Sequence, residues 1–287
     1  MLKVIVDARG FGHFVVDSPG ASEALVVKVA KAIAKDHTVH VLAQGVPESQ
    51  DGRVFWWPPN QGPRDCDILV VFNHLQVLDE FTFDRCFSML TGLPIGPVGY
   101  ERQIEKFVCF SEHHIKLFKQ QFPDISDEQA VVISPGVEVP QRTVAKIPRR
   151  LTWVSSADRG LWHLAMMWPA IIKEVPDATI KVTYGPRRWI EMVRWQHSCL
   201  ASQALDVEDW LNSAPNQVID AGVMPKLELA IAQQETDLFA FPYDPIGTDA
   251  VTALAGMEMA AYGSAMLMSA NGGLPTVFDG GAEFLPM

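Results

Sequence analysis

The sequence has no surplus of positive charge, no cysteine pair at metal-ligand spacing and no apolar run of membrane-spanning length. Among 287 residues, 34 are acidic and 23 basic, a formal net charge of −11. Nonspecific grip on DNA or RNA needs a basic surface that displaces counterions, so nucleic acid is excluded as the expected partner, although a local basic pocket stays compatible. The four cysteines, Cys66, Cys86, Cys109 and Cys199, are scattered without a CxxC pair. They read as reduced core thiols, and a cytoplasmic location is the expectation. No apolar stretch approaches the roughly 20 residues that cross a bilayer. The opening Met1-Leu-Lys-Val-Ile-Val-Asp7 reads as a first strand, not a secretory signal. Contact with a membrane surface has no dedicated signal.

What is present is an alternation of short strands and helices, with 48% hydrophobic and 20% charged residues, enough for two cores. Strands are expected at Lys3–Val6, Thr38–Leu42, Ile68–Phe72, Phe107–Phe110 and Val131–Ile133, then at Leu151–Val154, Thr179–Tyr184, Gln217–Ile219, Leu238–Phe241 and Ala265–Met268. They are apolar on both faces, as buried parallel strands are. Between them, Leu25, Val29 and Ile33, and likewise Leu164, Trp168 and Ile172, recur four apart and mark helical faces. Pro225 is placed to open a helix. The proline-bounded, basic stretch Val139–Pro148 reads as an interdomain linker. The expectation is therefore an α/β chain of two Rossmann-like, doubly wound domains with an interdomain cleft: residues 1–138, a linker at 139–150, and residues 151–287.

Chemistry concentrates at the ends of these strands. The run Glu258–Pro275 reads as the end of a small-residue helix bearing one carboxylate, a turn at Gly263, a buried strand, and a Gly272-Gly273 turn that opens another helix. Gly247-Thr248 is expected to open a further helix. Helix N-termini carry partial positive charge and free N–H donors, which suits diphosphate or sugar oxygens. Arg159 follows the second domain's opening strand, where a guanidinium can hold two diphosphate oxygens; alternatively it is a surface arginine paired with Asp158. Arg187 and Arg188 follow the strand ending at Tyr184-Gly185 and face either the cleft or solvent. Val223 and Met224 line a nucleotide base or pack in the core. His74 follows a buried strand at the sheet's ligand-facing edge.

Several motifs point elsewhere and are set aside. Asp65-Cys-Asp67 spells the DxD of metal-dependent, single-domain glycosyltransferases but precedes its strand, so it reads as a polar strand entry. Gly10-Phe-Gly12 lacks the third glycine of a dinucleotide fingerprint, with Val15 in its place, which disfavours a nicotinamide-dependent oxidoreductase. His13 and His114 are weaker candidates than His74; His113 and His114 are adjacent, so on a helix their rings diverge and joint metal ligation is not expected. Trp56-Trp57 reads as packing before sugar stacking.

The run from Glu258 to Pro275 resembles the donor-binding end of family-4 retaining glycosyltransferases of the GT-B fold, whose usual text is close to "LEAMAAG-x-P-V-V-x-S-x-x-GGLPE". Pro19-Gly-Ala-Ser-Glu23 is similar to that family's glycine-rich acceptor-domain loop, Ser134-Pro-Gly-Val-Glu138 stands where "PNGVD" is common, and Ser155-Ser-Ala-Asp-Arg-Gly-Leu161 resembles its phosphate-binding segment. The resemblance implies retaining, metal-independent transfer of a hexose from a nucleotide-sugar donor to a carbohydrate, lipid or small-molecule acceptor, with no cofactor. It also implies roles for His74 at the transferring sugar, Arg159 at the diphosphate, Glu258 at the ribose and Gly20 at the donor phosphate or acceptor. The sequence departs from the family's two glutamates eight positions apart, for Ala250 precedes Glu258 by eight; Asp249, one position off, reaches the sugar hydroxyls or caps the helix. Family members continue past the equivalent of Asp279–Pro286, so the second domain is expected to be incomplete. A catalytically weak nucleotide-sugar-binding protein and a nucleotide-sugar epimerase stay open as alternatives.

Overall fold

A computed structural model describes residues 1–11, 21–93, 96, 99–137, 141, 143–196, 200–213, 217–244 and 253–285. The chain divides into two compact units, Met1–Pro135 and Gly136–Met287.

The first unit comprises β1 (Lys3–Asp7), α1 (Ala21–Ile33), β2 (Thr38–Leu42), β3 (Ser49–Asp51), β4 (Val54–Trp57), β5 (Asp65–Phe72), β6 (Thr82–Met89), β7 (Lys106–Cys109), α2 (Glu112–Gln121) and β8 (Ala130–Val132). Its sheet runs β3-β4-β2-β1-β5-β6-β7-β8, parallel except where β3 pairs antiparallel with β4. The chain leaves β1 toward β2 and β4, then returns to the other side of β1 as β5. Strand order therefore reverses between β1 and β5, and in such sheets the loops beyond the strands' carboxyl ends open a crevice at that point.

Alternate residues of β1 serve two cores, which is why the strand is apolar on both faces. Val4 and Val6 pack with Val26 and Ala30 of α1, whereas Ile5 packs on the other face with Leu69, Val71 and Phe107. The buried stripe of α1 is thus centred on Val26 and Ala30, one residue beyond the expected Leu25 and Val29. Strands β3, β4 and β6 are not among the ten expected from the sequence, nor is β14 (Glu283–Leu285) of the second unit. In β6 the exposed Asp84 and Arg85 interrupt the apolar pattern before Cys86 and Ser88 turn inward. Burial pushes the thiol of Cys66 up to about 11 and those of Cys86 and Cys109 to about 12, consistent with inert core cysteines. Cys199 lies outside the described residues.

The second unit comprises β9 (Arg150–Trp153), α3 (Leu161–Glu174), β10 (Thr179–Thr183), α4 (Pro186–Trp195), α5 (Ala201–Ser213), β11 (Val218–Gly222), α6 (Lys226–Glu235), β12 (Leu238–Phe241), α7 (Leu254–Ala261), β13 (Ala265–Ser269), α8 (Leu274–Val277) and β14 (Glu283–Leu285). Its sheet is parallel throughout, in the order β11-β10-β9-β12-β13-β14. Here the reversal falls between β9 and β12. Trp153, Trp168, Phe239 and Met268 are fully buried in one core with Leu161 and Leu164, so the expected face of α3 is the observed one. Pro225 caps α6 from the position just before its first turn.

Part of the stretch expected as a linker is bound within the second unit. The backbone N–H groups of Thr143 and Val144 donate to Gln234 Oε1 at 2.6 and 3.3 Å, and Ile147 N–H donates to the Glu235 carbonyl at 2.8 Å. Lys146 Nζ donates to Ser264 Oγ at 3.1 Å and to the Thr236 carbonyl.

Candidate active site

The loops that follow β9 and β12 meet at the second unit's reversal point. A single 3-10 turn, Ala157–Arg159, ends at Gly160 with φ 107°, and a Cβ there would lie 2.0 Å from the Pro242 carbonyl oxygen. Only glycine permits that approach. The approach aligns two side-chain contacts. Arg159 Nη1 donates to the Tyr243 hydroxyl at 2.6 Å, its guanidinium 5.7 Å from the ring centroid, and His163 Nε2 lies 2.9 Å from Asp244 Oδ2. Asp158 is a secondary neighbour, 3.8 Å from Arg159 Nε. Beside the His163–Asp244 pair opens a cavity of about 350 Å³ lined mainly by apolar residues, including Leu164, Met167, Phe241 and Leu267.

Tyr243 also ties in the end of β13. Its carbonyl accepts from Ser269 Oγ at 2.8 Å and, weakly, from Asn271 Nδ2 at 3.5 Å. Asn271 leads into Gly272, with φ 57°, and Gly273 caps the four-residue α8. The structure thus gathers Arg159 and Gly272-Gly273 at one sheet edge through Tyr243, a buried residue that the sequence reading did not single out. Its position just after a strand, ahead of Asp244 and Pro245 in the sequence, is the signal that was available.

Glu258 lies on α7, which begins at Leu254 after the extended N-cap Ala253, so the helix that carries Glu258 does not start at Gly247-Thr248 as expected. A Cβ on Gly256 would lie 2.7 Å from Met268 Cε and 2.8 Å from Phe278 Cζ, so glycine lets α7 close onto β13. Glu258, two residues further on, turns outward and is exposed despite its apolar neighbours. Its Oε2 accepts from Nε2 of the buried Gln233 at 2.9 Å, a second residue missed in sequence. Gly20, Gly247, Thr248, Asp249, Ala250 and His13 lie outside the described residues.

Farther along the edge, Arg187 is committed to Asp220 Oδ2 at 2.6 Å and to Asn212 Oδ1 at 3.2 Å. Arg188 is exposed, and its side chain makes no ion pair or hydrogen bond among the described residues. Val223 is 75% exposed and Met224 half-buried, which rules out core packing for Val223.

The first unit repeats the pattern at its own reversal point. A Cβ on Gly10, after β1, would lie 2.3 Å from His74 Cδ2, after β5. Asn73, in the left-handed region at φ 59°, launches His74; its Oδ1 accepts from Thr91 N–H at 2.9 Å and its Nδ2 donates to Thr91 Oγ1 at 2.7 Å. Beside them Arg9 bridges the buried Asp7 at 2.7 Å and Glu80 at 2.6 Å. Burial raises the Asp7 carboxyl above its usual range, with Arg9 opposing the shift. His114 is structural: its Nδ1 accepts from Phe110 N–H at 3.2 Å, its Nε2 faces the Gly92 carbonyl at 3.1 Å, and burial holds it below 6.5. Asp65 pairs with Lys3 and Asp67 accepts the Lys3 N–H, so the DxD triplet secures a strand entry. Trp56 is buried, and Trp57 Nε1 donates to His40. Among the described residues, no three His, Cys, Asp or Glu side chains group closely enough to hold a metal ion, and no helix is long and apolar enough to cross a membrane.

Two Rossmann-like units of parallel sheet in one chain define the GT-B fold. Solved structures agree. WaaG, a glycosyltransferase involved in lipopolysaccharide biosynthesis, superposes with a TM-score of 0.67 at 11% identity, over 99% of this chain and 86% of its own. Trehalose-6-phosphate synthase OtsA gives 0.69 at 10% identity, over 99% and 88%. An E. coli trehalose-6-phosphate structure bound with UDP-2-fluoro glucose gives 0.65 at 10%, again over 99% and 88%. At these identities the likeness concerns the fold. No protein-family model and no curated protein sequence matches the chain.

Proposed function

We propose that this protein is a retaining glycosyltransferase that takes a nucleotide-sugar donor at the carboxyl edge of its second sheet. The observation that carries this reading is the placement of Arg159: a partly exposed guanidinium, fixed by Tyr243 at the strand-order reversal, with the Gly272-Gly273 turn tied to the same tyrosine. A preorganised cation and N–H donors at that point stabilise charge as a diphosphate leaves. Glu258, whose carboxylate is steadied by Gln233, takes the ribose diol, and Val223 and Met224 line the base. His74 contacts the transferring sugar, Asp249 its hydroxyls, and the acceptor is a carbohydrate, lipid or small-molecule hydroxyl. The reaction uses no cofactor or metal, and the protein works in the cytoplasm.

Thermal-shift titration with UDP-, GDP- and ADP-sugars tests this, because a ligand bound only by the folded chain raises its melting point. Stabilisation by one donor, lost in Arg159→Ala, is the expected result. No response to any donor at millimolar concentration overturns it. Ala250, where the resemblance implies a glutamate, favours one second reading: a nucleotide-sugar binder without turnover. Binding with no sugar transferred or hydrolysed would select that reading.

A further inference from the structure

Tyr184 stands in a conformation that its own contacts do not explain. It follows β10 with φ 72°, in the left-handed region that glycine occupies freely and that strains a residue carrying a Cβ. Gly185 continues the left-handed path at φ 64°, ψ 59°, before Pro186 opens α4. Tyr184 is 54% exposed, and its ring makes no hydrogen bond or ring contact among the described residues. The fold therefore bears the strain without gaining burial in exchange. Strained residues held this way cluster at ligand sites.

The surroundings supply the shape. Val223 Cγ2 would lie 2.9 Å from a Cβ on Gly185, so the turn after β11 abuts the turn after β10. Val223, against that turn, and Leu227 are apolar side chains each 75% exposed. In the sheet order, the ends of β10 and β11 lie one and two strand spacings from the end of β9, which leads to Arg159. That separation is about 5–10 Å, a distance a ribose spans between a diphosphate and its base.

We propose that Tyr184 is a nucleobase-stacking residue, its ring forming one wall of a slot whose other side is Val223. The assignment rests on the nucleotide-sugar reading above and adds the group that holds the base by its flat face. Stacking of this kind tolerates different bases, so edge contacts beside Val223 and Met224 set the choice among them.

Calorimetric titration of the full chain with UDP, GDP, ADP and inorganic pyrophosphate tests the assignment, using Tyr184→Gly and Tyr184→Phe. Tyr184→Gly weakens the favoured nucleotide about tenfold or more while leaving pyrophosphate within about twofold of wild type. The same substitution relieves the strained backbone and raises the ligand-free melting point by about 2–4 °C. Tyr184→Phe keeps the ring and binds within about threefold of wild type. Opposite movement of stability and affinity is the signature that a packing role would not produce. If wild type binds a nucleotide and Tyr184→Gly binds it equally well, or melts lower, the stacking role is overturned and the donor reading survives. If Tyr184→Phe loses as much as Tyr184→Gly, the hydroxyl acts and stacking is overturned. If wild type binds none of the three nucleotides, the donor reading falls and this assignment with it.

Discussion

Arg159 donates to the Tyr243 hydroxyl at 2.6 Å across the point where the second sheet reverses its strand order. One residue comes from the turn after β9 and the other from the turn after β12, so the bond joins the two loops that diverge there. Tyr243→Phe removes the acceptor and leaves the cation. Stability should fall by about 1 kcal/mol and donor affinity by a few fold, because the guanidinium loses its fixed direction. Arg159→Ala should lower turnover by about 10²-fold or more. Urea unfolding and steady-state kinetics with the donor found by thermal shift measure both, and an Arg159→Ala variant with full turnover would remove the residue from the site.

Gly160 holds those loops together by having no side chain. With φ 107° and a would-be Cβ 2.0 Å from the Pro242 carbonyl oxygen, Gly160→Ala strains the backbone and collides with an atom that cannot move aside. The expected loss is about 3 kcal/mol of stability in the second unit. A neutral result in chemical denaturation would show that the two turns do not touch as described.

Gly10 stands to His74 as Gly160 stands to Pro242, except that its neighbour is a side chain that can swing away. Gly10→Ala should therefore cost little stability, about 1 kcal/mol, but displace the imidazole and slow sugar transfer about tenfold or more. The check is a double-mutant cycle on kcat/KM: in a His74→Ala background, Gly10→Ala should have almost no further effect. Additive losses would mean that Gly10 acts through something other than His74.

Gln233 is buried and spends an amide proton on Glu258 at 2.9 Å. Gln233→Leu frees that carboxylate. If Glu258 takes the ribose as proposed, the donor's KM should rise several fold with kcat little changed, since such a contact serves ground state and transition state alike. A change confined to kcat would place Glu258 nearer the reacting atoms.

Acid should weaken the first unit through its histidines. Burial lowers His114 below 6.5, and lowers His40 as well, the latter with help from Lys3. In the folded state these rings stay neutral to lower pH than in the unfolded chain. The unfolded state therefore binds more protons as pH falls below 6.5, and stability present above 6.5 is lost progressively down to the folded values. Asp7, displaced upward, has the opposite sign and gains relief on acidification. Comparing urea midpoints at pH 7.5 and 5.5 for wild type and His114→Gln isolates the histidine: the variant should show the smaller drop. An equal drop would assign the acid sensitivity elsewhere.

Ten strands were readable in the chain because parallel strands buried on both faces are short apolar runs, whatever they pack against. Strand β6 escaped because its first half faces water with Asp84 and Arg85, and β4 because two adjacent tryptophans carry no period. Arg159 and Glu258 were visible as charges in apolar or glycine-rich settings. Tyr243, Gln233 and Tyr184 were not. An aromatic residue after a strand and a glutamine in a helix look the same in sequence whether they fill space or hold a functional group.

The sequence by itself determined the alternation of strands and helices, the two successive sheets, and which strand ends carry glycine and charge, since all of these follow from local periodicity and backbone freedom. Tertiary structure alone decided that Arg159 meets Tyr243, that Gly10 makes room for His74, and that Arg187 is committed to Asp220. These contacts join residues 33 to 84 positions apart. Their formation depends on strand order, and strand order is a property of the folded sheet that no local pattern encodes.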